Sequence, residues 1–268
     1  MIIIGEKING TIPSVGRSIA AGDEDFIRLL AVKQSEAGSA YIDVCAGVDP
    51  DSELETMKWL LEIVQTATDV PISIDSPDPL LIKDTLKYVS KPGLINSVSL
   101  EGEKTKIIFP QIADTDWECV ALLCDDKGVP ATVEKRLQIA REIVDRAADY
   151  GISHSRLYID PLVTTLSTDG SSLVKFMECS REIKSLYPEI HITSGLSNIS
   201  YGLPVRTSIN QAFLTLAMSA GMDSAIMDPT RSEMLAAILT TDALLGNDRF
   251  CRKLTTAFRK GIIGQQKC

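Results

Sequence analysis

The sequence predicts a single-domain α/β protein built as a (β/α)8 barrel, and three observations lead there. Short β-rich runs alternate with longer amphipathic segments along all 268 residues, the pattern of repeated βα units around a parallel sheet. Eight such runs alternate strictly with eight helical segments, which favours a closed barrel over an open, doubly wound sheet. Hydrophobic residues make up 44% of the chain and aromatic ones only 5%, so the core consists mainly of Ile, Leu, Val, Ala and Met, which suits helices packed on parallel strands. A chain of this length can bury one large core. No linker, low-complexity tract or close repeat divides it, so one domain is expected over residues 1–268.

The predicted strands, in order, are Ile2–Ile4, Tyr41–Cys45, Pro71–Asp75, Gly93–Ser97, Glu118–Cys124, Arg156–Asp160, Ile190–Gly195 and Ser224–Met227. Between and after them fall helices at 23–38, 51–69, 78–88, 101–114, 131–150, 170–187, 206–221 and 230–245, with a final charged helix near 248–260. The stretch Met57–Val64 repeats apolar residues at helical spacing, and Thr132–Val144 does the same with Glu and Arg expected on the outer face. Asp23, Asp51, Asp78 and Thr132 are candidate N-caps, while Gly38, Gly151 and Gly221 stand where helices end.

A formal charge of −9 with no basic stripe argues against a nucleic-acid partner. Cys45, Cys119, Cys124, Cys179, Cys251 and Cys268 show no C-x2-C spacing, so free thiols in a reducing cytoplasm are expected rather than a metal site. The opening Met1-Ile2-Ile3-Ile4-Gly5 lacks a basic flank and is too short for an export signal or a membrane span, so a soluble protein is expected.

In barrels of this kind the active site lies at the C-terminal ends of the strands, so polar residues that close apolar runs are the informative ones. Here they are Gly5-Glu6-Lys7-Ile8-Asn9-Gly10, Asp43, Asp75-Ser76, Asn96-Ser97, Asp160-Pro161 and Gly195-Leu196-Ser197-Asn198. His154 and His191 precede or open their strands and belong at the opposite end, which leaves no histidine for a metal centre. Carboxylates alone could hold Mg²⁺, but Asn96 and Asn198 among them favour an organic ligand that both donates and accepts hydrogen bonds. A pterin fits, because one carboxylate can accept the adjacent N–H groups of its pyrimidine edge. Spacing alone does not separate a pterin from other heterocycles. Aspartates before helices also serve as N-caps, which is the competing reading of Asp43.

Five segments taken together resemble the pterin-binding methyltransferase family. They are Gly5–Gly10, Ser73-Ile74-Asp75-Ser76, Leu94-Ile95-Asn96-Ser97, Leu157-Tyr158-Ile159-Asp160-Pro161-Leu162 and Gly195-Leu196-Ser197-Asn198-Ile199-Ser200. That family includes methyltetrahydrofolate:corrinoid/iron–sulfur protein methyltransferase and the folate module of cobalamin-dependent methionine synthase. The resemblance extends over nearly the whole chain and is nearest to the stand-alone enzymes of anaerobes, in acetogenesis or in the demethylation of methylamines such as glycine betaine. It implies transfer of a methyl group, in either direction, between tetrahydrofolate or methyltetrahydrofolate and the cobalt of a corrinoid. The chain has no D-x-H-x-x-G cobalamin signature, so the corrinoid would arrive on a partner protein. A homodimer is implied as well.

Position by position, the resemblance implies that Asp75, Asn96 and Asp160 hydrogen-bond the pterin, with Asp43, Gly195 and Ser197 completing the pocket. Asn198 would approach the nitrogen that bears the methyl group, and Arg206 would meet the aminobenzoyl-glutamate portion, a surface position on its helix being the other reading. Cys45 departs from the asparagine familiar at that place, so one contact is in question. The expected catalytic pair is Asn198, through a hydrogen bond that strengthens in the transition state, and Asp75, through a network with water. An amide is no acid at neutral pH, so the proton must come from solvent or a relay. The alternatives are a dihydropteroate synthase, against which the GEKINGTIPS loop lacks an N-x-T-P-D-S-F pattern, and a non-catalytic folate-binding subunit.

Overall fold

A computed structural model describes residues 1–264, so Cys268 lies outside the described residues. Strands β1 (Ile2–Asn9), β2 (Tyr41–Cys45), β3 (Ile72–Asp75), β4 (Leu94–Leu100), β5 (Glu118–Asp125), β6 (Leu157–Asp160), β7 (His191–Ile192) and β8 (Ser224–Met227) run parallel in the order β7-β6-β5-β4-β3-β2-β1-β8. The remaining seam closes where Gly195 pairs with Ile226, the Ile226 N–H donating to the Ser194 carbonyl at 2.9 Å. The protein is therefore the (β/α)8 barrel that the alternation predicts. Ten helices surround it among the described residues: α1 (Pro13–Ala21), α2 (Glu24–Glu36), α3 (Pro50–Ala67), α4 (Pro79–Thr85), α5 (Lys104–Ile112), α6 (Val133–Asp149), α7 (Ser172–Leu186), α8 (Arg206–Ser219), α9 (Ser232–Leu244) and α10 (Arg252–Arg259).

Several boundaries differ from expectation. Helix α1 was not foreseen, since its nine residues contain Gly16 and two serines; Pro13 in its first turn and the left-handed Gly22 after its end delimit it. Strand β1 runs five residues past Ile4, with a register shift between Gly5 and Ile8 that carries polar residues into the mouth. Asp23, Asp78 and Thr132 cap their helices through the N–H groups of Phe26, Leu80 and Lys135, whereas Asp51 lies inside the first turn of α3, which starts after Asp49. Beyond Ile192, the seventh strand continues to Gly195 only as an irregular segment.

Strand pleat divides the interior into two packed layers. Ile3, Ile42, Val44, Ile72, Ile74, Ile95, Cys119, Ala121, Leu157 and Ile159 face the helices and join the large outer core. The alternate residues point inward, where Ile4, Leu94, Val120 and Tyr158 form a separate cluster with Ile2, Tyr41, Leu122 and Ile226. Toward the N-terminal end of the strands, the Tyr41 hydroxyl donates to Glu118 at 2.7 Å, and His191 stacks on Tyr158 at 4.6 Å. His154 lies in the short turn before β6. Both histidines thus sit away from the C-terminal ends of the strands. Among the described residues, no helix is long and apolar enough to cross a membrane.

Arg136 overturns one expectation. Placed by periodicity on the outer face of α6, it is instead 2% exposed. Its guanidinium donates to the carbonyls of Pro130, Pro161 and Leu162 at 3.1, 2.8 and 2.9 Å, which fixes the turn that follows β6. Removing it would leave those carbonyls without their charged donor in a dry setting. Arg136→Met is expected to destabilise the fold by about 3 kcal/mol. Urea unfolding checks this, and a loss below about 1 kcal/mol would make the buried guanidinium dispensable.

Candidate functional site at the barrel mouth

The inward face of each strand supplies the mouth. Following Tyr41 by two residues, Asp43 points inward; Asp75 does so after Ser73, Asn96 after Leu94, and Asp160 after Tyr158. Asp43 is 4% exposed, and its Oδ1 accepts from the Ser73 hydroxyl and from Asn96 Nδ2, the latter at 3.3 Å. Asp160 accepts from the N–H of Leu162 at 2.7 Å and of Gly195 at 3.4 Å. Asp75 lies beside Asp43 and close to Cys45, the residue that departs from the family pattern.

The turn Leu196–Ser200 follows β7 and carries Asn198, which is exposed. Its amide folds back over Gly195, where a Cβ would come within 2.9 Å of Asn198 Nδ2; glycine is needed for this approach. Arg206, at the start of α8, reaches back to the same turn instead of lying free on its helix. Its Nε donates to Ser200 Oγ and its Nη2 to the Ser197 carbonyl, both at 3.1 Å.

An open cavity of about 350 Å³ adjoins this ring on the side of β7, β8 and β1. Glu6, Lys7, Ser197, Arg206 and Asp228 line it, whereas Asp75, Asn96 and Asp160 lie outside its lining. The structure therefore groups the expected residues into an Asp43–Asp75–Asn96 cluster, an Asp160–Gly195–Asn198 cluster and the arginine-edged cavity. The sequence placed Glu6 and Lys7 in the rim segment that closes the first strand without giving either a role, and it passed over Asp228. Asp228 directly follows the apolar run Ser224–Met227, so the rule that found Asp160 would have found it. With the first strand ended at Ile4, the direction of Glu6 stayed open.

Desolvation dominates the electrostatics. Burial lifts Asp160 from 3.8 to about 6 against the two backbone N–H groups that favour its anion. Burial likewise takes Asp75 to about 6, opposed by the Cys45 thiol, and lifts Glu6 to about 7 with help from Asp228. Asp43 is pushed well above the usual carboxylate range by burial and then by Asp75. For Asp160 the displacement amounts to on the order of 2–3 kcal/mol. Among the described residues, no group of three or more His, Cys, Asp or Glu side chains is arranged to hold a metal ion.

These shifts have a definite sign for stability. Carboxyls raised on folding contribute most below their unfolded values, and the contribution disappears as pH rises through the folded ones. Between pH 5 and 8 the free protein should therefore lose stability. Asp43→Asn is expected to reduce that loss, as read from denaturant midpoints at the two pH values, and an undiminished loss would place its origin elsewhere.

Comparisons with known proteins agree with this geometry. A methylcorrinoid:tetrahydrofolate methyltransferase of Eubacterium limosum is 53% identical over 266 residues, which cover 98% of each chain. The methionine synthase of Mycobacterium tuberculosis is 30% identical over 86% of this chain, which spans 20% of that longer protein. Among solved structures, dihydropteroate synthase from Xanthomonas albilineans in complex with 7,8-dihydropteroate superposes with a TM-score of 0.65 over 91% of this chain and 92% of its own. At 19% identity that likeness speaks for the fold alone. The model of the family described as "Pterin binding enzyme" matches residues 5–228, and the chain belongs to that family.

Proposed function

We propose that this enzyme transfers a methyl group between tetrahydrofolate and the cobalt of a corrinoid carried by a partner protein. The observation that carries the reading is the 53% identity, over 98% of both chains, to a methylcorrinoid:tetrahydrofolate methyltransferase. That name supports the direction from methylcorrinoid to tetrahydrofolate. The same catalyst serves the reverse reaction by microscopic reversibility.

In this reading Asp75, Asn96 and Asp160 hold the pyrimidine edge of the pterin at the deep side of the mouth, with Asp43 orienting Asn96. Donors from the pterin would replace the water that burial removed and draw Asp75 and Asp160 into their ionised forms. Gly195 and Ser197 shape the wall, and Arg206 faces the aminobenzoyl-glutamate portion from the cavity. Asn198, exposed above Gly195, supplies a hydrogen bond at the methyl-bearing nitrogen that strengthens as charge changes there. Its exposure supports this role, since the corrinoid must approach the same point from outside. The reading also takes the protein as a cytoplasmic homodimer; the free thiols at Cys45, Cys119, Cys124, Cys179 and Cys251 are in keeping with a reducing compartment.

The reading is tested by mixing the purified protein with methylcobalamin and tetrahydrofolate, and with cob(I)alamin and methyltetrahydrofolate, while the cobalt spectrum is followed. Methyl exchange supports it. Formation of dihydropteroate from the pterin pyrophosphate and aminobenzoate would replace it with a synthase, and pterin binding without exchange to corrinoid proteins would leave only a folate-binding subunit. Asn198→Ala is expected to lower the transfer rate by roughly 100-fold with little change in pterin affinity. Asp75→Ala should instead weaken pterin binding by about 10-fold or more, as expected for a buried hydrogen bond involving a charged group. Equal effects of both substitutions on rate and affinity would dissolve the division of roles.

A further inference from the structure

Methylation of the pterin nitrogen leaves a proton to be accounted for, and this inference rests on the methyl transfer proposed above. In the direction toward tetrahydrofolate, the nitrogen lone pair forms the new N–C bond. The Co–C bond breaks with its electron pair remaining on cobalt, and the N–H proton must leave. In the reverse direction a proton must be delivered to the same nitrogen. An amide such as Asn198 can do neither at neutral pH.

Most carboxyls around the mouth are already engaged. Asp43 accepts from Ser73 and Asn96, and Asp160 from two backbone N–H groups. Asp228 Oδ1 accepts the N–H and hydroxyl of Thr230 at 3.0 and 2.6 Å, while its Oδ2 lies 3.4 Å from Lys7 Nζ and 3.6 Å from Arg231 Nε. Asp75 lies outside the lining of the cavity, and the reading above assigns it to the pterin edge. Glu6 differs. Among the described residues no group donates a hydrogen bond to its carboxyl or lies within ion-pairing distance of it, yet it lines the cavity together with Leu196 and Ser197, the two residues that precede Asn198. An unengaged carboxyl beside the turn that bears Asn198 has both the access and the free lone pairs that a proton acceptor requires.

We propose that Glu6 is the catalytic residue that takes the proton from the pterin nitrogen as it is methylated, and returns one in the reverse reaction. The proton then passes to solvent through the open side of the cavity. Charged groups face it from every neighbouring element: Lys7 on β1, Arg206 on α8, Asp228 after β8, Arg231 and Glu233 at the start of α9, and Asp43 across the barrel on β2. Burial and then Asp228 raise the carboxyl to about 7, with Lys7 and Arg206 pulling the other way, so both protonation states are populated near neutrality.

The signs of the two directions differ, and this makes the test specific. Transfer to tetrahydrofolate uses the Glu6 carboxylate and should accelerate as pH rises through about 7, whereas transfer from methyltetrahydrofolate uses the acid and should slow over the same range. The experiment measures kcat and KM of the full chain in both directions from pH 5.5 to 8.5, roughly spanning that midpoint, for the wild type, Glu6→Gln and Glu6→Asp. Glu6→Gln is expected to lower kcat by about 100-fold or more, leave KM for the folate nearly unchanged, and abolish both pH limbs. Glu6→Asp should retain the limbs with a displaced midpoint and a lower kcat. Should Glu6→Gln fail to fold, Glu6→Asp alone decides: a wild-type kcat and midpoint there overturn the assignment. Glu6→Gln with intact limbs and kcat overturns it equally. A wild-type protein inert in both directions would instead remove the methyl-transfer reading itself.

Discussion

The pleat of a closed parallel barrel is the constraint on which this molecule depends. Once eight strands are locked in register, every second residue must face the axis, and the same parity that fills the interior with Ile4, Leu94, Val120 and Tyr158 carries Glu6, Asp43, Asp75, Asn96 and Asp160 to the mouth. A slip of one residue in β2, β3 or β6 would exchange an isoleucine or valine of the outer core for a carboxylate. Core packing and site assembly are therefore one condition, and the apolar outer residues specify the register that the polar inner ones use.

Assembling so many acids in one place costs stability in the free protein. Burial raises Asp43, Asp75, Asp160 and Glu6 together, and nothing within the ring neutralises them; the nearby cations Lys7, Arg206 and Arg231 lie on the cavity side. Such a site is best satisfied by a ligand rich in N–H donors, which is the property that separates a pterin pocket from a cation site. The two halves of the mouth differ in character: a desolvated ring of acids and Asn96 over β2, β3, β4 and β6, which the proposed reading gives to the heterocycle, and an open, charge-lined cavity beside the turn that bears Asn198.

Helices contribute by holding the loops that the strands cannot fix. Arg136 ties α6 to the turn after β6 and so secures Asp160 from below, while Arg206 ties α8 to the turn that presents Asn198. Arg136 donates to three backbone carbonyls and Arg206 to one carbonyl and one hydroxyl, since a planar array of donors can bridge two or three acceptors at once. In each case a charged helix residue holds a neighbouring loop of the mouth.

The alternation of β-rich and amphipathic runs was enough to determine the barrel, because burial of one face imposes a periodicity that is written residue by residue. The rim residues Asp43, Asp75, Asn96 and Asp160 were legible for the same reason: a polar side chain that ends an apolar strand has a known direction. Other features depended on contacts between segments far apart in the chain. Periodicity placed Arg136 outside, since a helix pattern records how apolar residues repeat and not which carbonyls a neighbouring loop brings within reach. The direction of Glu6 and the place of Asp228 beside it came only with β1 extending beyond Ile4 and pairing with β8, where Lys7 pairs with Asp228 and not with Glu6. The sequence by itself determined the layers and the residues facing the mouth, through local periodicity; only the tertiary structure decided which of them are satisfied and which remain free to react, because hydrogen-bond partners are a property of the closed barrel.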